Sequence, residues 1–151
     1  MDKVQIAVDI FNQGMNCAQS TFLPFAEQGG LDRGEALLVA SCFGGGMRCG
    51  EVCGAVTGAL MAIGLACGYT SMENPADKTR ANALAVLFEK EFREKNHSIL
   101  CRELLGYNIA DPDELKQIQS EGLFDAVCPV LVGDAVVIAE QIITEANSSR
   151  R

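Results

Sequence analysis

Apolar positions along the chain recur every three or four residues and almost nowhere alternate in pairs, which is the spacing of helices rather than strands. Val4, Ala7, Val8 and Phe11 mark one face of a stretch from Lys3 to Gln13 that Gly14 stops. Asn16 followed by Gln19 has the form of a capping box, opening a helix to Gln28 that absorbs or kinks at Pro24 and ends at Gly29 and Gly30. Asp32 with Glu35 repeats that start for a helix to about Phe43, and Gly44, Gly45 and Gly46 then break the chain. A glycine-rich apolar helix is predicted from about Glu51 to Cys67. Asn74-Pro75 starts the longest, Ala76 to about Lys95, with Ala81, Leu84, Ala85, Leu87, Phe88 and Phe92 on a broad apolar face. Ser98 to Leu105 makes a short helix, Asp111-Pro112 with Glu114 caps another, and Cys128-Pro129 begins the last, to about Ala146. The predicted class is all-α: one domain over residues 1–151, a bundle of about six to eight helices around a central Gly-rich buried helix.

That central helix, within GEVCGAVTGALMAIGLAC, is uncharged from Val52 to Met72 and carries a Gly54-x-x-x-Gly58 spacing used in transmembrane helix pairing. Its strongly apolar part, Val52 to Cys67, falls short of the roughly 18 to 20 residues a membrane span requires, so no span is expected. Gly50, Gly54, Gly58, Ala62 and Ala66 recur every fourth residue and describe a groove against which another helix can lie close. Glycine costs a helix about 1 kcal/mol relative to alanine, so three in one interior point to close backbone approach.

Composition narrows the function. With 151 residues, 48% of them hydrophobic, and a net charge of −8, the chain can bury a core. Nucleic acid is excluded as a partner by the acidic balance and by twelve Lys and Arg residues that form no cluster. A protein partner would be basic. The N-terminal MDKVQIAVDIFNQG has none of the basic start and apolar run of a signal peptide, so a cytoplasmic location is expected.

Seven cysteines then need a reason, and no two form a Cys-x-x-Cys pair, which removes thioredoxin-like, zinc-ribbon and haem-attachment motifs. Cys17, Cys53, Cys101 and Cys128 all fall at predicted helix starts, where free N–H groups and the helix dipole favour the thiolate that binds metal or attacks a disulfide. Cys42 and Cys67 fall in last turns and read as small core residues. Cys49, one turn before Cys53, could be a further ligand, a redox partner of Cys53 or a spectator.

Taken together, NCAQSTFL, FGGGMRCGEVCGAVTGALMAIG, CRELLG and the later Cys128 resemble the small redox-active proteins of the C-GCAxxG-C-C family. Here the central element stands as Cys53-Gly54-Ala55-Val56-Thr57-Gly58, and the likeness runs from about Gly14 to about Glu140. The resemblance implies redox function, and a similar domain in split-Soret cytochromes carries such cysteines at an iron-sulfur site beside the haems. No haem-attachment motif exists in this chain. On this basis Cys17, Cys53, Cys101 and Cys128 are expected to bind an iron-sulfur cluster, [2Fe-2S] ahead of [4Fe-4S], with zinc the runner-up metal. The alternative is a metal-free thiol-disulfide oxidoreductase with Cys53 attacking and Cys49, Cys17 or Cys128 resolving. Without the resemblance, a helical interaction domain with buried structural cysteines is favoured. A redox protein partner and a homodimer complete the expectations.

Three other features carry less. Gly44, Gly45 and Gly46 before a helix mimic a phosphate loop, but no strand precedes them and no Lys-Ser or Lys-Thr follows. Arg48 is a cation placed to favour a Cys53 thiolate, and His97 lies four residues before Cys101 at the end of a charged helix, where it reads as solvated.

Overall fold

The computed structural model describes residues 2–149. Among them the regular elements are eight α-helices: α1 (Lys3–Asn12), α2 (Cys17–Gln28), α3 (Arg33–Ala40), α4 (Gly54–Cys67), α5 (Pro75–Asn96), α6 (Cys101–Leu105), α7 (Pro112–Ser120) and α8 (Leu123–Ser148). One tight turn, Gly46–Gly50, and one isolated antiparallel bridge between Val52 and Leu100 complete the set. The all-α class is as the sequence predicts.

Local chemistry explains the boundaries that were anticipated. The Asp2, Asn16, Asp32, Asn74 and Asp111 side chains each accept a backbone N–H of the first turn that follows, and Asn16 with Gln19 forms the reciprocal capping box. Pro24 is absorbed within α2, and Gly14 leaves α1 at φ +107.

Helix α4 is the centre. It packs against α2, α5 and α8, and Ala55, Val56, Gly58, Ala59, Ala62 and Ile63 are buried along it. Around it close Leu23, Phe88, Phe92, Val132 and Val136, none of them more than 2% exposed. Burying a phenylalanine of this kind contributes up to about 3 kcal/mol. The Phe88 and Phe92 rings stack at 5.9 Å. Leu87, expected on the same apolar face, is 37% exposed.

The close approach predicted from the glycine stripe is real but shorter than the stripe. A Cβ on Gly58 would stand 2.6 Å from the Ala18 carbonyl oxygen, and one on Gly54 would stand 2.7 Å from the Cys17 sulfur. Helix α2 therefore lies on α4 at backbone distance. Gly64 meets nothing, Ala66 is exposed, and Gly50 lies outside the helix with φ +71.

Four boundaries depart from expectation, each for a physical reason. Helix α4 begins at Gly54 rather than Glu51, and α6 at Cys101 rather than Ser98, because residues 51–53 and 99–101 are extended and pair with each other. Cys53 donates its N–H to the Ile99 carbonyl at 2.8 Å and Cys101 donates its own to the Glu51 carbonyl at 2.7 Å. Helix α3 stops at Ala40, leaving Cys42 beyond its end and exposed rather than in the core. Helix α8 starts at Leu123, opened by Gly122 in a left-handed conformation, and runs through Pro129. Cys128 is thus inside a helix and not at its start. By length and composition α8 is the one described helix able to cross a membrane, yet Leu131, Val132, Ala135, Val136, Ile138, Ala139 and Ile142 are buried in this bundle.

Replacing Gly58 with alanine should destabilise the fold by about 1–3 kcal/mol, through overpacking against the Ala18 carbonyl. Gly64→Ala, in the same helix but facing open space, should instead stabilise by about 0.5–1 kcal/mol. Urea denaturation of both variants checks this, and equal effects of one sign would contradict the packing described.

Candidate functional site

Between two hydrophobic clusters, one around α4 and a smaller one holding Cys101, Leu105, Ile109, Ile118 and Cys128, lies a cavity of about 290 Å³. Cys17, Cys53, Cys101 and Cys128 all line it. Its apolar wall comes from Phe11, Leu105, Phe124 and Leu131, and Asn16, Ser41, Gly44, Gly45, Arg48 and Gly54 complete the lining.

Each cysteine arrives by a different local device. The capping box at Asn16 fixes Cys17 as the first residue of α2, and the Asn16 amide donates at 3.0 Å to the Ser41 carbonyl, tying that start to the chain beyond α3. Cys53 is the N-cap of α4, its carbonyl accepting the N–H groups of Val56 and Thr57 at 2.9 and 3.0 Å. The Val52–Leu100 bridge sets Cys101 alongside, as the first residue of α6. Cys128 comes from the second turn of α8, in the same apolar cluster as Cys101.

The four sulfurs are not electrostatically alike. Cys17 is held down to about 6, first because the Cys53 thiol donates a hydrogen bond to it, then through backbone N–H groups of Gly45, Cys17 itself and Gly54, with burial opposing. Cys53 is pushed well above its ordinary value by the same hydrogen bond, by burial and by the Cys17 charge. Burial first, and the Cys17 charge second, push Cys101 up to about 11 and Cys128 up to about 12. One thiolate and three thiols line the cavity at neutral pH. Each of the four was expected to be eased toward the thiolate by a helix start, and only Cys17 is: the hydrogen bond to Cys17 and burial raise Cys53, and burial chiefly raises Cys101 and Cys128.

The remaining predicted residues separate clearly. Cys49 is exposed, lies outside the cavity lining and donates its S–H to the Gly46 carbonyl at 3.3 Å. Cys67 is buried, as a core residue should be, near Asn147 and at the opposite end of α4 from Cys53. Arg48 does reach the cavity, but the cysteine it favours is Cys101 and not Cys53. Among the described residues no three Cys, His, Asp or Glu side chains converge tightly enough to hold a single metal ion. The roles of Gly45 and Gly54 as N–H donors to Cys17, and the Phe11, Phe124 and Leu131 wall, were missed. The glycine runs were the one available signal, and they read equally well as plain turns.

The fold and site define an all-α domain with four cysteines gathered on one apolar cavity. Residues 15–142 match the family described as "Putative redox-active protein (C_GCAxxG_C_C)", and the chain belongs to that family. Comparisons with curated proteins and with solved structures returned no match.

Because Cys17 ionises at about 6 against an ordinary 9.0, its thiolate stabilises the folded chain fully above pH 9, and the contribution is lost as pH falls through 6. In reduced, metal-free protein, iodoacetamide should label Cys17 with a rate midpoint near pH 6, read by peptide mass spectrometry. Cys53→Ala should move that midpoint upward. A Cys17 midpoint of 8 or above in the unaltered chain would refute the hydrogen-bonded pair.

Proposed function

We propose that the protein binds one iron-sulfur cluster through Cys17, Cys53, Cys101 and Cys128 and serves in electron transfer or redox sensing. The observation that supports this best is convergence: residues far apart in sequence, from separate elements, present four sulfurs to one apolar cavity. Four thiolates are the ligand set of both [2Fe-2S] and [4Fe-4S] centres, and such a group supplies reversible one-electron transfer when bound. The smaller cluster is the preferred reading. Zinc is the runner-up, since four cysteines also hold a single tetrahedral ion. A cluster spreads its ligands over several metal atoms and suits thiols placed around a cavity of about 290 Å³.

The chain's own residues do the rest. Phe11, Leu105, Phe124 and Leu131 keep water from the sulfurs, and the Gly45 and Gly54 N–H groups donate to Cys17, both of which tune potential. Cys53, Cys101 and Cys128 start as thiols, so loading must release their protons and is favoured by raised pH. A redox protein partner meeting this surface of net charge −8 would be basic, in a cytoplasmic setting.

A second reading has its own support in the Cys17–Cys53 hydrogen bond. Cys17, rather than the expected Cys53, would attack one sulfur of a substrate disulfide and expel the other as a thiol carrying the Cys53 proton. Cys53 would then displace the first sulfur, leaving a Cys17–Cys53 disulfide and a substrate reduced by two electrons. No metal takes part.

Protein purified without oxygen should contain iron and sulfide and absorb in the visible. Alanine at Cys17, Cys53, Cys101 or Cys128 should each lower bound iron at least tenfold, while Cys42→Ala and Cys67→Ala leave it unchanged. A colourless, iron-free protein that forms only a Cys17–Cys53 disulfide would replace the cluster reading with the dithiol one.

A further inference from the structure

We propose that the cysteine-lined cavity also receives a small organic monocarboxylate, which pairs with Arg48 beside the sulfurs. This deepens the redox reading, and rests on it only in taking the four cysteines as the reacting edge of the cavity. It makes the protein a site for a small acid substrate, and not an electron carrier alone.

Arg48 is the only cation in the cavity lining, no carboxylate lines it, and the Cys17 thiolate is the one anion there. The ion pairs of the described residues join Lys3 to Glu140, Arg33 to Glu27, Lys90 to Glu94, Lys95 to Asp134 and Arg102 to Glu51, leaving Arg48 outside them. In a chain with 20 acidic against 12 basic residues, a carboxylate for Arg48 is abundant in composition and absent in place.

A strained turn holds Arg48 in place. Gly45, Gly46, Met47 and Arg48 stand in succession at φ +64, +61, +58 and +60. Met47 and Arg48 carry side chains in that left-handed region, at a cost of about 1–2 kcal/mol each. The turn is locked and cannot relax outward: a Cβ on Gly46 would meet the Glu51 backbone at 2.5 Å and one on Gly50 would strike Asn108. A Cβ on Gly45 would stand 3.0 Å from an Arg48 guanidinium nitrogen, so the cation lies over the very residue whose N–H serves Cys17. Strain here positions a cation at the thiols.

A volume of about 290 Å³ holds roughly ten water-sized groups. An apolar wall with a single placed charge is the composition of a small-molecule pocket. The guanidinium fork matches a carboxylate, and the apolar wall favours an organic body on it.

Benzoate, with benzamide as its neutral counterpart, probes this by calorimetric titration into protein purified without oxygen. Benzoate should bind saturably at one site and benzamide at least tenfold more weakly. In protein that retains its iron, Arg48→Gln should weaken benzoate at least tenfold, and Arg48→Lys should recover part of the loss. Absence of saturable benzoate binding, equal binding by Arg48→Gln, or equal binding of benzamide would overturn the proposal. So would loss of iron together with loss of binding, since Arg48 would then be a counter-charge of the redox centre. Iron-free protein that still binds benzoate through Arg48 would end the cluster reading and uphold this one.

Discussion

Backbone contact between α2 and α4 is the constraint on which the site depends. Helices bearing ordinary side chains pack with axes about 8–10 Å apart, and here the Ala18 backbone and the Cys17 sulfur enter space that any Cβ on Gly58 or Gly54 would fill. The two glycines weaken α4 as an isolated helix by about 1 kcal/mol each. Burial of Ala18, Phe22, Ala55, Val56 and Ala59 along that seam offsets the loss. The same contact brings the first residue of α2 against the residue capping α4. A wider helix pair would part Cys17 from Cys53, and with them the sulfur hydrogen bond that sets the charge of the cavity.

Competition between desolvation and donated hydrogen bonds then decides which sulfur carries that charge. For Cys17 a fall from 9.0 to about 6 corresponds to a difference on the order of 4 kcal/mol between its protonation states, supplied by one S–H and several N–H donors. Cys101 and Cys128 have no such donors and rise with burial. A second thiolate would also stand against the first across a cavity with apolar walls, where charges are poorly screened. The arrangement is stable as one anion with three protonated neighbours. It becomes fully ionised only with a positive group to neutralise it, so protonation and ligand loading are linked.

Helix starts fixed by side-chain caps were legible in the sequence, because an Asn or Asp followed by its first-turn partners is a local signal, and Asn16, Asp32, Asn74 and Asp111 each behave as read. Pairing of residues 51–53 with 99–101 was not legible, since nothing in three extended residues announces a partner some fifty positions away. That pairing moved the starts of α4 and α6, and with them Cys53 and Cys101. Pro129 misled in another way. Proline is favoured at a helix start, and the left-handed Gly122 that opens α8 seven residues earlier competes with it unseen. Spacing could gather four cysteines as candidates. It could not rank their acidity, because burial and the Cys17–Cys53 contact are tertiary facts.

Between the helices, the segment from Gly44 to Cys53 does what helix packing alone does not. Its left-handed residues turn the chain tightly enough for the Gly45 N–H to face Cys17 while residues 51–53 run on to pair with 99–101. Gly46 lies against both the Glu51 backbone and Cys101, so the turn and the bridge are one packed unit. Strained backbone of this kind persists only where its surroundings over-determine it. Here α2, α4 and α6 all meet on it. Relaxing Met47 and Arg48 to ordinary dihedrals would have to undo the Met47-to-Phe43 and Glu51-to-Gly46 hydrogen bonds that close the turn, and would carry Arg48 away from the sulfurs. The strain is therefore tied to the cavity on whose lining a cation, a thiolate and three thiols meet.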